Sequence, residues 1–507
     1  MGRLRHLAAV GLSLLLLMPG IAAAPGPADD ADLGRVNQVL ELVRENYAGE
    51  IEDGRLADDA IRGVIDQLDS HSRYLDPAAF DELCSGTSGG YEGIGATVIV
   101  RNSKALVVSV APGGPAARAA IRAGDEIVAV NGEPVSSIDA DKVGQRLRGP
   151  AGSPVDLTIV ARSFSEPRPV SLNREKVCIP SVPEAFVLDG GIGYIRIDHF
   201  TERTADEFDR ALEQVIAGHP RALVLDLRGN PGGVLSAAVR IAERFVPRGK
   251  LIVTTEGRHP AQDRLYFSSA TGPRLTLPLA VLVDGWSASA AEVLAGALQD
   301  WDLAVIVGTR TYGKGSVQTI LPLDGGGGLK LTTARYYTPS GRSIERGDDA
   351  LAARGGAEAA EGAPNAAGGQ ASYASASGRH LPSGGGISPD VDAAGAGLPA
   401  LAEELERDGY FATFAPEGRI APAGRLERFR EYVEAERGTI AASTWNESAA
   451  AISILLERDA AGIAGGQEAA RRVTLRSDTV FARARGLLLS GESLAQVLHE
   501  VSPAESR

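Results

Sequence analysis

Leu279-Ala-Val-Leu-Val-Asp-Gly-Trp-Ser-Ala-Ser-Ala-Ala-Glu292 runs from five apolar residues, through Asp-Gly, into small residues that end on a glutamate. An unbroken apolar run bounded by a turn signal marks a strand covered on both faces. Ser289-Ala-Ala-Glu292 has the spacing of a capping box at a helix start, and taken alone it is a cap and nothing more. Its setting adds chemistry. A serine that follows a buried strand through Gly285 is held out at the edge of a sheet. At a helix start it also lies among free backbone N–H groups able to hold an oxyanion. The amide of Ala290 is the natural first donor. Strand, tight turn and helix in this order predict an α/β layer with a candidate nucleophile at its edge.

The next strand, within Leu303 to Val307, leads into Gly308-Thr-Arg-Thr-Tyr-Gly-Lys-Gly-Ser-Val-Gln318. Lys314 is one of only six lysines in a chain whose positive charge is mostly arginine. A desolvated lysine can give up its proton, whereas arginine keeps its own. The loop fits Gly-x-x-x-x-Gly-Lys, but Gly315 stands where a phosphate loop needs Ser or Thr, and Ser316 to Leu321 reads as a strand. The loop therefore argues against nucleotide binding. Upstream, Asp226-Leu-Arg-Gly-Asn-Pro-Gly-Gly233 closes another strand with two glycines, and Gly232 or Gly233 can bring a second oxyanion donor close. None of the seven histidines falls in these loops. His199 alone lies within the core pattern, where it reads as a local core or surface residue.

Around these loops the chain divides into blocks. Residues 30–85 show helical periodicity (Val36, Val39, Leu40, Val43, then Leu56, Ile61, Val64, Ile65, Leu68) and predict a small helical domain. Residues 86–178 hold short β-type runs and the hairpin signal Asn131-Gly132. Residues 179–346, resuming at 387–396 around Ile387-Ser-Pro-Asp-Val391, alternate strands and helices. Residues 347–386 are dominated by Gly, Ala and Ser and read as a disordered insertion. Residues 397–507 are helical again. The end helices can build a homodimer or pack on the core.

Composition sets further limits. A net charge of −14 argues against nucleic acid as a partner. Arg3 and Arg5, the apolar run Leu7 to Met18, and Ala22 to Ala24 have the layout of a secretory signal peptide over residues 1–24. Cleavage near Ala23 or Ala24 predicts an exported protein, periplasmic or secreted, with no membrane span in the mature chain. Cys84 and Cys178 are the only cysteines. They bracket the β-rich unit, either as a disulfide at its base or as two free thiols.

The Gly285–Glu292 and Tyr312–Gln318 segments resemble those of the C-terminal processing peptidases, also called tail-specific proteases. The twenty-five-residue separation of Ser289 from Lys314 matches that family, as does Gln318 four residues further on. The resemblance implies Ser289 as nucleophile, Lys314 as general base and Gln318 as the residue that orients it. It implies an α/β protease core of the crotonase or Clp-protease type within a multidomain α+β chain, and it calls for no metal or cofactor. Asp300 matches a further functional position, and Glu292 is a candidate support. Tyr91-Glu-Gly-Ile-Gly-Ala96, Ala123-Gly-Asp-Glu-Ile127 and Val130-Asn-Gly132 resemble a PDZ domain, which binds protein or peptide C-termini by adding them as a strand. Gly93, Ile94, Gly95 and Ala96 would form its carboxylate loop. Arg148 is either the arginine that couples tail binding to the reaction or a plain surface residue. Trp286 and Ala291 depart from the glycine and serine of many members and remove no proposed reacting atom. The expected activity is an exported serine endopeptidase that recognises apolar C-terminal tails. The rival readings are a catalytically silent tail-binding adaptor and an exported hydrolase of non-peptide esters or amides. An adaptor protein is a further expected partner.

Overall fold

A computed structural model of the chain describes residues 16–17, 30–101, 104–161, 166–272, 274–346, 373–414, 424–490 and 493–501. Apart from Leu16 and Leu17, the expected leader lies outside the described residues. Helices α1 (Asp30–Asn46), α2 (Asp53–Ile65) and α3 (Pro77–Thr87) form the N-terminal segment, with β1 (Arg73–Leu75) between the last two. Asp76 caps α3 by accepting from Ala79 N–H, and Pro77 occupies the first turn, where its missing N–H costs nothing. Helix α1 is exposed along most of its length, Leu33, Val36, Val39 and Leu42 included.

The β-rich unit opens with β2 (Gly90–Gly93) and contains β3 (Ala96–Arg101), β4 (Lys104–Val110), β5 (Glu126–Val130), helix α4 (Ala140–Leu147), β6 (Pro154–Val160) and β7 (Pro167–Asn173), closing with β8 (Glu175–Cys178). Its sheet runs β3-β4-β5-β6-β7, so β3 lies at an edge. Ile94, Val107, Ile127, Val143, Leu157 and Ile159 fill its own core. The base is closed by the β2–β8 ladder, in which Gly90 faces Cys178. The ends of the unit thus meet through backbone hydrogen bonds, and the disulfide reading gives way: Cys84, on α3, and Cys178 are both free.

The core sheet is ordered β9 (Glu184–Leu188), β10 (Ile192–Arg196), β11 (Ala222–Asp226), β14 (Leu279–Val283), β15 (Val305–Gly308) and β20 (Val391–Asp392). All its pairings are parallel except that of edge strand β9. Helices α5 (Thr204–Ala217), α6 (Leu235–Ala242) and α7 (Ala290–Asp300) connect the parallel strands. Every residue of β11 and β14 is buried, as a sheet covered on both faces requires. One face packs on α5, α6 and α7. A second sheet continues that layer, with β12 (Leu251–Gly257), β13 (Arg264–Phe267), β16 (Ser316–Pro322) and β17 (Gly328–Tyr337) in the order β16-β17-β12-β13; β1 also pairs with β17.

The expected disordered insertion needs a correction. Residues 347–372 lie outside the described residues, but 373–386 are folded. Strands β18 (Tyr373–Ala374) and β19 (His380–Leu381) form a small hairpin. Arg379 pins it by ion pairs to Asp302 and Asp390, each at 2.7 Å. A low-complexity reading gives no weight to a single arginine that finds two carboxylates.

The C-terminal helices divide in two. Helices α8 (Ala400–Arg407), α9 (Tyr410–Phe414), α10 (Arg425–Arg437) and the first part of α11 (Ala442–Ser477) enclose an aromatic cluster of Phe411, Phe429 and Trp445. The end of α11, with α12 (Thr479–Leu488) and α13 (Leu494–Val501), covers the other face of the core sheet through Leu475, Val480, Phe481, Val497 and Leu498. Asp478 caps α12 and accepts a 2.7 Å ion pair from Arg228, which ties this cover to the loop after β11.

Candidate active site

Three loops leave the carboxyl ends of β11, β14 and β15 side by side, where open α/β sheets place their ligands. Asp284 organises the middle one. Its Oδ1 accepts from Trp286 N–H (2.9 Å), Ser287 N–H (3.0 Å) and, across the gap, Gly229 N–H (3.0 Å). Ser287 Oγ–H donates to Leu227 C=O at 2.8 Å. Thus braced, the turn delivers Ser289 with φ 54° and ψ −116°, a left-handed backbone rare for serine. Such strain costs on the order of 1–3 kcal/mol and persists only where the surroundings enforce it. Ser289 is fully buried, and its Oγ takes no hydrogen bond from the protein.

Glu292 is the organiser of the site. Its Oε2 accepts from Ser289 N–H (2.8 Å) and Lys314 N–H (2.9 Å), and its Oε1 from Gly313 N–H (2.7 Å) and the Thr311 hydroxyl (2.5 Å). One buried carboxylate thereby ties the serine turn to the lysine loop. Burial raises its pKa, and these four donors oppose the rise. Capping explains only the first of its bonds.

Lys314 is buried, with only 5 % of its surface exposed. Loss of solvent and the nearby Lys330 ammonium lower its pKa to about 7, against the raising influence of Glu345, Asp69 and Glu292. Lys330, also buried, is lowered to about 8 by burial and by Arg73. The Tyr336 hydroxyl donates to the Lys314 carbonyl and lies beside the Ser289 side chain. Gln318 sits at a bulge in the β16–β17 ladder that sets it opposite Thr332. Its Nε2 donates to Thr332 Oγ1 (2.7 Å), and its buried Oε1 accepts nothing from the protein.

The oxyanion candidates sort themselves by what their amides already do. Gly232 N–H donates to Asn230 Oδ1 at 2.8 Å and is occupied. What Gly232 contributes is closeness: a Cβ there would stand 2.7 Å from Ser289 Cβ and 2.9 Å from Ala290 N. Among the described residues the N–H groups of Gly233 and Ala290 have no carbonyl partner, leaving these two as the available pair. Gly233 is required on its own account, since a Cβ would fall 1.9 Å from Phe200 C=O.

Other expected residues lie elsewhere. Asp300 is at the far end of α7, roughly 16 Å from Ser289 at the helical rise. There it accepts from Arg342 Nε (3.0 Å) and Nη2 (2.7 Å) and from Ser340 N–H (2.8 Å), a buried structural ion pair. The charged neighbours of His199 are Asp198 and Glu207. In the β-rich unit, Gly93 belongs to the β2–β8 ladder and bridges Arg148, and Ile94 is buried with its C=O accepting from Ala116 N–H. Gly95 has φ 76°, and Ala96 begins edge strand β3. Arg148 pairs with Glu82 of α3 (2.5 Å) and lies over the Tyr91 ring.

Sequence reasoning missed Asn230, Thr311, Tyr336, Lys330 and Asp69. Lys330 carried a signal, because it is another of the rare lysines and sits in the apolar run Leu329-Lys-Leu331. Among the described residues no cluster of His, Cys, Asp and Glu is arranged to hold a metal ion, and no helix is long and apolar enough to cross a membrane.

Residues 191–349 match peptidase family S41, and residues 106–160 match a PDZ domain. A carboxy-terminal-processing protease of Bartonella bacilliformis is 37 % identical over 338 residues, covering 66 % of this chain and 77 % of that protein. The carboxy-terminal processing protease CtpB of Bacillus subtilis is 32 % identical over 345 residues, covering 66 % and 72 %. Among solved structures, a photosystem II D1 C-terminal processing protease is 30 % identical, with 71 % of this chain and 86 % of that one covered at a TM-score of 0.39. With its serine at the end of β14 and a PDZ domain ahead of its core, the chain belongs to the carboxy-terminal processing serine proteases of peptidase family S41.

Proposed function

We propose that this protein is an exported endopeptidase that captures apolar C-terminal tails on its PDZ domain and cleaves with Ser289 and Lys314. Neutral Lys314 takes the Ser289 proton as Oγ attacks the scissile carbonyl. Ala290 N–H and Gly233 N–H stabilise the tetrahedral oxyanion. The lysine, now protonated, returns its proton to the leaving amine, and water then releases the acyl group by the reverse use of the same base. Gln318 Oε1, which no group of the protein occupies, is available as the acceptor that aligns the lysine.

The observation that carries this reading is Glu292, which fastens the backbone of Ser289 to that of Lys314 while burial brings the lysine to about 7. Tail capture is supported by the edge position of β3 in its sheet, next to α4 and with the 93–96 loop at its start. Export rests on the leader-like N-terminus.

The test is hydrolysis of a peptide with a free apolar C-terminus, compared with its C-terminal amide, by wild type, Ser289→Ala and Lys314→Ala. Cleavage of the free-tail peptide alone, lost in both variants, is the expected result. Tail binding without cleavage by wild type would favour the silent adaptor, and equal cleavage of small esters without tail preference would favour the non-peptide hydrolase. Wild-type rates in either variant would refute the mechanism.

A further inference from the structure

Asp69 follows α2 in a turn that leads directly into β1. Its Oδ1 accepts from His71 N–H and Ser72 N–H (both 2.7 Å), and its Oδ2 from the Ser72 hydroxyl (2.8 Å). Ser72 is buried, and its Oγ accepts from Thr332 N–H at 3.1 Å. The Thr332 hydroxyl helps keep Asp69 ionised and accepts from Gln318 Nε2. Strand β1 then continues against β17 with Arg73 opposite Lys330. Lys330 and Thr332 stand two apart on β17 and so share one face of the sheet. A carboxylate from outside the protease core is thus joined to Gln318 by a continuous run of hydrogen bonds, and its charge acts on both buried lysines.

The consequence for Gln318 is specific. An amide has one donating and one accepting end, and at this site Thr332 takes the donor. Only Oε1 remains to face an amine. Without Thr332 and the turn that holds it, the amide can flip and present N–H to Lys314, which repels its proton-bearing form.

We propose that the Asp69–Ser72 turn is a positioning element of the hydrolytic site, acting through Thr332 and Gln318 on Lys314. This rests on the Ser289–Lys314–Gln318 reading above. The N-terminal helical segment, which contributes the turn, is then part of the machinery and not only a neighbour of it. The charged groups around Lys314 are Glu292 from α7, Glu345 from the segment after β17, Lys330 from β17 and Asp69 from the turn; Arg73 of β1 faces Lys330. Asp69 favours the protonated lysine and Lys330 disfavours it. Removing each should therefore move the acid limb of the rate profile in opposite directions.

The experiment is the pH dependence of kcat and KM on a free-tail peptide for Asp69→Asn, Thr332→Val, Thr332→Ser and Lys330→Met, with Ser289→Ala as the chemical control. Thermal melting and PDZ binding of the same tail report folding. Asp69→Asn and Thr332→Val are expected to lower kcat by about 10- to 100-fold with KM little changed, as misplacement of a reacting group does. Thr332→Ser should restore most of the rate. The acid limb should move by about half a unit or more, down in Asp69→Asn and up in Lys330→Met. Wild-type kcat in Asp69→Asn and Thr332→Val overturns the proposal. So does a rate loss that follows the loss of melting temperature while the acid limb stays fixed, since a mere clamp would do that. Hydrolysis retained in Ser289→Ala overturns the Ser–Lys reading itself, a different result from either.

Discussion

Lys314→Met removes a buried ammonium and keeps the length of the side chain, so it separates what this residue does for chemistry from what it does to the fold. Lys314 is held at about 7 against an ordinary 10.5, a difference of about 3.5 units. At ~1.4 kcal/mol per unit, the folded protein bears roughly 5 kcal/mol for carrying the charged form below pH 7. The sign follows from the protons. Between pH 7 and 10.5 the unfolded lysine is protonated and the folded one is not, so wild-type stability rises with pH across that window. Below pH 7 both states hold the proton and the penalty is fully present. Methionine carries no such penalty, and a volume-conserving swap costs under about 1.5 kcal/mol in packing. The variant should therefore be more stable than wild type by several kcal/mol at pH 6, a gap that shrinks by about 3 kcal/mol at pH 9. At about 2–4 °C per kcal/mol for a core of this size, melting curves at the two pH values resolve it easily. Hydrolysis should be lost at both. A variant no more stable than wild type at pH 6, or a gap that does not change with pH, would refute the argument that burial neutralises this lysine.

Three further outcomes follow from the same geometry. For wild type, kcat/KM should fall about tenfold per unit below pH 7, as the neutral lysine is titrated away, in a profile measured at saturating and subsaturating peptide. Glu292→Gln should lower kcat by about 100-fold or more and lower the melting temperature, because an amide offers one acceptor where four donors converge, and each buried donor left unpaired costs about 1–3 kcal/mol. Asp300→Asn should cost about 3–5 kcal/mol of stability by stranding the buried Arg342, yet leave kcat nearly unchanged at temperatures where the variant is folded. A large kcat defect without a stability defect would return Asp300 to the reaction.

The strands and the reactive loops were legible because they obey short-range rules. A strand buried on both faces reads as an apolar run, so β14 and β15 announce themselves, and Ser289 and Lys314 follow six residues beyond their ends. What the sequence withheld depends on distant parts of the chain. Ser72 meets Thr332 across 260 positions, and no local pattern says that a turn after a helix will bond a residue in a hairpin. The hairpin at 373–381 was hidden for a related reason: its anchor Arg379 pairs with Asp302, 77 positions away, as well as with the nearer Asp390. Gly232 shows a subtler limit. The double glycine was readable as a close approach, but which of the two amides stays available is decided by the Asn230 side chain.

The lysine has three carboxylates within electrostatic reach and is nevertheless held near neutrality, which requires that their influence be small beside that of burial. The reason lies in how each carboxylate is employed. Glu292 is the closest in sequence terms to the reaction, yet its lone pairs go to the backbone of Ser289, Gly313 and Lys314 and to Thr311. It grips the lysine's loop through the N–H groups of Gly313 and Lys314. Glu345 accepts from Gly315 N–H, and Asp69 from His71 and Ser72. Each carboxylate is thus engaged by N–H or hydroxyl dipoles, which offset part of its field at the lysine. Lys330 adds a positive charge on the same side of the balance as burial. A site built this way can gather carboxylates around the proposed general base and still let burial bring it to about 7, while the same carboxylates fix the backbone.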